Sequence, residues 1–295
     1  MRRPDDIEAV FDDGIENLHM GRVSEACKIF RAVLDSEPKH TDAHCHLGLI
    51  AMEQGELEEA EQHLRVAVEE SIRRTNEPGE WGYGNREVYL RALHNLALVR
   101  RLRGDYKEAI GIHERMLKLD ARDGLGARYL LAEEYHHQGA RHRAIRLYDS
   151  QLEYPPACFG LGLALLETKS PAARMGKALL SGFAANRYMA PILLDEPWEP
   201  LNGFHGNDRA EAEFAEESVH IMKPLWQRVP GSLEVLRTWW GSPSVVGWRA
   251  RLDQISVSLK GLEFGEARIT LLSLRGDLEA TDYLDILVAK VLGLR

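Results

Sequence analysis

The stretch RRLRGDYKEAIGIHERMLKLDARD, residues 100–123, decides how the rest of the chain is read. Gly104, Ala109 and Met116 stand five and seven residues apart, and the same spacing occurs earlier in HMGRVSEACKIFRAVLDSEPKH (19–40) at Gly21, Ala26 and Val33. It occurs again in EQGELEEAEQHLRVAVEESIRR (53–74), where Gly55, Ala60 and Leu64 follow Gly21, Ala26 and Phe30 by 34 residues, as Gly48 follows Gly14. A fourth copy, HHQGARHRAIRLYDSQLEYPP (136–156), places Gly139, Ala144 and Tyr148 35 residues after Gly104, Ala109 and His113. This spacing predicts two antiparallel helices per unit. Glycine ends the first helix, because the turn needs a backbone conformation in which a side chain clashes. Alanine marks the close approach of two helices. Phe30, Leu64 and Tyr148 fill the space between pairs, and Pro38 and Pro156 stop the second helix. His113 takes the aromatic position of the third copy and is expected half-buried.

By these residues and this period the chain resembles the tetratricopeptide repeat family, with four copies at about 7–40, 41–74, 90–123 and 125–157. The resemblance implies an all-α, right-handed solenoid of helical hairpins. Asn17 stands in the first copy where the family carries an aromatic, and Tyr135 holds that place in the fourth. The segments DGLGARYLL (123–131), FGLGLALLE (159–167) and NRYMAPILL (186–194) resemble an uncharacterised group of bacterial repeat proteins. The organisation expected is four repeats in 1–157 with an insertion near 74–88, degenerate helical repeats in 158–243, and a helical C-terminal cap in 244–295. Trp81 and Tyr83 fall in the inserted loop, tucked onto a neighbouring repeat or forming a lip over a groove. The tail reads as two or three helices, capping the array because a terminal repeat otherwise exposes apolar surface; docking of a partner or second subunit is the alternative.

The 295 residues carry a net charge of −9, with 44% hydrophobic and 28% charged residues. That balance suits a soluble globular chain and disfavours a general nucleic-acid binder. The charge is uneven, about −8 over residues 1–74 and about +2 over 75–150. Three cysteines make no disulfide framework, and the N-terminal residues show no apolar run of a secretory signal. A cytoplasmic protein without a membrane span is the expectation.

His40, His44, Cys45 and His46 invite a zinc reading, since His40 and His44 could share a helix face. No third and fourth ligand follows at a recognisable spacing, so these are read as surface histidines, as are His136, His137 and His142. GLGARY and GLGLAL lack the preceding strand that a dinucleotide site needs. No cofactor, metal or catalytic residue is assigned.

The family resemblance implies a concave surface lined by first helices. Its candidate positions are Phe11 and Ile15, then Leu49 and Met52, then Arg91, His94, Leu98 and Arg101, then Tyr129, Glu133 and His136. Phe11 and Ile15 occupy positions where chaperone-binding members carry asparagine, which argues against a terminal-carboxylate ligand. The groove suits a protein or peptide segment, amphipathic with a few acidic residues. The expected function is a non-catalytic scaffold or adaptor. Two alternatives remain: an accessory subunit of a nucleic-acid complex using Arg91, Arg100, Arg101, Arg103 and Lys107, or an enzyme whose site in 189–243 uses Trp198, His205, Asp208, Trp239 and Trp240.

Overall fold

A computed structural model describes residues 4–75 and 83–294. Among the described residues the chain is helical throughout, without strands, and divides into two compact units, 1–134 and 135–295. Trp81 and the middle of the inserted loop lie outside the described residues.

The first unit is built of consecutive hairpins. α1 (Pro4–His19) pairs with α2 (Val23–Ser36), α3 (Thr41–Glu53) with α4 (Leu57–Thr75), and α5 (Tyr83–Leu102) with α6 (Tyr106–Leu119). α7 (Ala127–His137) follows and runs across the division between the units. Each hairpin turns on the expected glycine. Gly21 and Gly104 adopt φ of 73° and 82°, and the next amide in each case, Arg22 or Asp105, bonds to the carbonyl five residues back. That bond ties off a helix end whose carbonyls have no intrahelical partner. Gly14 is needed for a different reason. A Cβ there would stand 2.6 Å from the Phe30 ring, so the first helix can approach the second only without a side chain. Ala26, Phe30, Val33, Leu47 and Ile50 form one core, and Ala60, Leu64, Tyr89, Leu93 and Met116 belong to a second. His113 departs from the expectation of half-burial: it is fully buried, with a carboxylate beside it.

Charged links fasten each hairpin to the next. Arg31 meets Glu59 at 3.3 Å and Lys39 meets Glu70 at 2.6 Å. Arg100 reaches Glu61 at 2.6 Å, their side chains only 9% and 12% exposed, and Arg103 meets the other Glu61 oxygen at 2.9 Å.

The second unit begins with the same architecture and then leaves it. α8 (Arg141–Asp149) packs on α9 (Pro155–Glu167), which packs on α10 (Ala172–Ala185). α9 is apolar on every side and buried on every side, and therefore forms the centre of this unit. After the short α11 (Met189–Leu193) the chain runs irregularly to a 3-10 turn at Asp208–Ala210. α12 (Ala212–Arg228) stays helical through Pro224, and α13 (Ser232–Trp240), α14 (Pro243–Leu259), α15 (Glu266–Glu279) and α16 (Thr281–Val291) complete the unit. Neighbour-on-neighbour stacking stops here, because α10 is touched by α13, α14 and α16 at once. Trp226, Trp248, Phe159 and Phe183 are fully buried in this assembly. The tail is thus three helices, with Leu284, Leu287 and Val288 of α16 inside. Phe264, Ile269 and Ile286 remain exposed. No described helix is long and apolar enough to cross a membrane.

Candidate functional site

In the first unit α3 packs directly on α5 as well as through α4, and the Phe11 ring of α1 reaches the His46 ring of α3, centroids 5.7 Å apart. Along them the candidate apolar residues are all half-buried. Phe11 and Ile15 lean on the first core, the Phe11 ring centroid 5.5 Å from that of Phe30, and Met52 leans on the second. Leu49, Leu98 and Tyr129 are likewise partly covered.

The polar candidates are less available than their positions suggest. Arg91 is the most open, its side chain 43% exposed and 3.3 Å from Asp42. Arg101 is held by Glu133 at 2.7 Å, with both side chains largely covered. Burial alone would lower the Arg101 pKa, but the Glu133 charge and hydrogen bond outweigh it and raise it. His94 lies against His113, ring centroids 5.9 Å apart, and burial pushes its pKa down to about 4. His136 offers no surface to a partner. It falls in the second unit, fully buried, with Nε2 2.5 Å from Glu167. Its partner is a carboxylate on α9.

The histidine run of α3 also needs correction. His40 and His44 are 5% and 8% exposed and are not surface residues. Nδ1 of His40 accepts from the Ala43 amide and caps α3. His44 donates through Nε2 to the Pro38 carbonyl at 3.1 Å, so its Nδ1 accepts from Nδ1 of His63 at 2.8 Å. The His46 ring stacks on Phe30. Each histidine is thus occupied by packing or capping, and among the described residues no three His, Cys, Asp or Glu side chains come together as a metal set.

Residues 14–74 match a tetratricopeptide repeat family model, and residues 92–125 match a second tetratricopeptide repeat model. The chain carries tetratricopeptide repeats. Their turns are the Gly21, Gly55 and Gly104 turns of the first unit, and repeats of this kind generally mediate binding to other proteins or peptides. A comparison with curated proteins finds no match.

The residues of the two alternatives fall as follows. Arg100 and Arg103 of the repeat turn are engaged by Glu61, Arg100 also by Asp105 at 3.3 Å and Glu108 at 3.1 Å. In the second unit Trp239 and Trp240 are buried, Trp198 packs edge-on to Tyr188, and Asp208 is exposed on the 3-10 turn. His205 lines a cavity, where it stands with Arg187, Arg249, Asp253 and Arg275. Sequence reading missed those four. Arg249 and Asp253 share a face of α14, but Arg187 and Arg275 reach them from other elements at no regular spacing.

Proposed function

We propose that this protein is a non-catalytic scaffold whose tetratricopeptide repeats hold a segment of another protein along α1, α3 and α5. The observation carrying this reading is the set of half-buried apolar side chains on first helices, Leu49, Met52 and Leu98 on the packed pair α3 and α5, with Phe11 and Ile15 on α1, whose Phe11 ring touches His46 of α3. Half-buried side chains are already ordered by their neighbours, so covering them costs little entropy and gains about 25 cal/mol per Å² of apolar surface. Arg91 at the edge of the row supplies orientation for an acidic group on the partner. Tyr129 extends the row. Arg101 and Glu133 act within it as a pair that keeps α5 and α7 in step, and His94 adds apolar surface as a neutral ring.

Thiol chemistry finds no support, since burial raises the pKa of Cys27 and pushes Cys45 and Cys158 up to about 12. Of the arginines that an RNA or DNA would need, Arg100 and Arg103 are paired with Glu61, Asp105 and Glu108 and Arg101 with Glu133, which favours the protein partner over the nucleic acid. The test is quantitative capture of the native partner by the full chain and by a Leu98→Ala/Tyr129→Ala variant. Loss of capture at unchanged helicity is the expected result, and equal capture would refute the groove.

A further inference from the structure

A second site is built into the other unit and stands independently of the groove. α14 presents Arg249, Leu252, Asp253 and Ser256, spaced by three and four residues and hence on one face. α15 brings Arg275 and the turn after α10 brings Arg187 to the same place. The irregular segment after α11 crosses over them, fastened where the Phe204 amide donates to the Ser256 carbonyl at 2.8 Å and Tyr188 Oη accepts from the Leu201 amide at 2.9 Å. Together they enclose a cavity of about 30 Å³, walled by Phe183, Phe204 and Leu252. A wider cleft of about 400 Å³, lined also by Leu152, Pro155 and Leu272, shares Phe204, His205 and Arg275 with it.

The charges around the small cavity do not balance. Arg187 is paired with Asp253 at 3.1 Å, and Arg275 with Glu279 at 2.8 Å. Arg275 also donates to Ser256 Oγ at 2.7 Å. Arg249 has no ion pair among the described residues. Its guanidinium lies 3.2 Å from the Trp240 ring centroid and donates to the Trp240 carbonyl at 3.1 Å, while its Nε is buried without a hydrogen-bond partner. A guanidinium cannot shed its charge at neutral pH, so one positive charge is left over in a half-buried, apolar-walled space. Burial pulls the Arg249 pKa down to about 10, the direction expected of a cation lacking a counterion.

We propose that this cavity binds a small organic monocarboxylate, its head group between Arg249, Arg187 and Arg275 and its apolar body over Phe204 and Leu272 in the wider cleft. One uncompensated charge calls for a monoanion. A space of about 30 Å³ holds about two water-sized atoms, which fits two carboxylate oxygens better than a tetrahedral phosphate. The forked guanidinium matches a planar carboxylate edge to edge. His205, whose Nε2 donates to the Leu201 carbonyl at 2.9 Å, is a positioning residue that holds the crossing segment in place.

The experiment is calorimetric titration of the full-length protein with hexanoate and benzoate, alongside benzamide as the neutral isostere and inorganic phosphate. Saturable binding of at least one carboxylate is expected, with benzamide and phosphate at least about tenfold weaker. Arg249→Met lowers the carboxylate affinity about tenfold or more at unchanged helicity. Asp253→Asn, which removes the competing carboxylate, raises it. Absence of binding by both carboxylates, equal binding of benzamide or phosphate, or an affinity indifferent to Arg249→Met would each overturn the proposal. Should Arg249→Met fail to fold, unchanged or weakened carboxylate binding by Asp253→Asn overturns it equally.

Discussion

Nδ1 of His113 lies 2.9 Å from a Glu134 carboxylate oxygen, and neither side chain is exposed at all. The pair occupies the place that Phe30 fills with a ring in the first repeat. Nδ1 of His113 and one Glu134 oxygen satisfy each other, while Nε2 and the second oxygen stay buried without a partner; removing one member leaves the other wholly unpaired. His113→Phe restores the ring but strands Glu134, and costs about 3–5 kcal/mol in unfolding free energy. His113→Phe combined with Glu134→Leu recovers most of that loss. A thermodynamic cycle by urea denaturation checks both, and additive losses would contradict the pairing.

Arg100 and Glu61 make a second prediction. Glu61 receives Arg100, Arg103 and Arg65 from two hairpins, while its own side chain is 12% exposed. Glu61→Gln keeps the shape and removes the charge that three guanidinium groups share. Stability falls by about 2–3 kcal/mol, and the loss persists at high salt because the pair is shielded from solvent ions. Arg31→Gln, whose partner Glu59 is 42% exposed, costs less than about 1 kcal/mol. Thermal melts of both variants with and without added salt make the comparison.

Two glycines separate packing from propensity. At Gly48 an added Cβ would stand 2.6 Å from Leu64 Cγ and 3.2 Å from the Ala60 carbonyl oxygen, so Gly48→Ala destabilises by about 1–3 kcal/mol. At Gly111 of α6 nothing lies within 4 Å, and Gly111→Ala stabilises by about 0.5–1 kcal/mol through helix propensity alone. Chemical denaturation curves with opposite shifts are the expected readout.

Acid sensitivity follows from the buried histidines. Burial lowers His44, His46, His63 and His136 below 6.5, and His94 to about 4. The unfolded chain therefore takes up these protons first as pH falls. Stability is complete above the unfolded value of 6.5 and declines below it. Between about pH 7 and about pH 5, His94 alone accounts for about 2 kcal/mol of loss. Melting temperatures over that range fall in the wild type, and fall less in His94→Phe. An equal slope in both would contradict the assignment.

Much of the fold was legible because it is enforced locally. Gly21, Gly55, Gly104 and Gly139 mark left-handed turn positions that few other residues fill. The fifth hairpin shows the limit. α9 ends in the same turn, its Ser170 amide bonded to the Leu165 carbonyl, but the left-handed residue is Lys169 with φ of 51°. Without glycine the turn carries no signal in sequence, and the pair read as degenerate. Long-range charge was equally silent. Glu134 gives no sign that it seeks His113, nor His136 that it seeks Glu167, because side-chain pairing between helices has no period. Arg187, Arg249 and Arg275 are drawn together by tertiary packing alone, after the repeat has lapsed.

The claim that the first helices hold another polypeptide is tested most directly by hydrogen–deuterium exchange of the full chain with and without its captured partner. The account predicts slowed exchange in α3 and α5, around Leu49, Met52 and Leu98, and none in α14 to α16. Protection confined to the three C-terminal helices, with α3 and α5 unchanged, would contradict it.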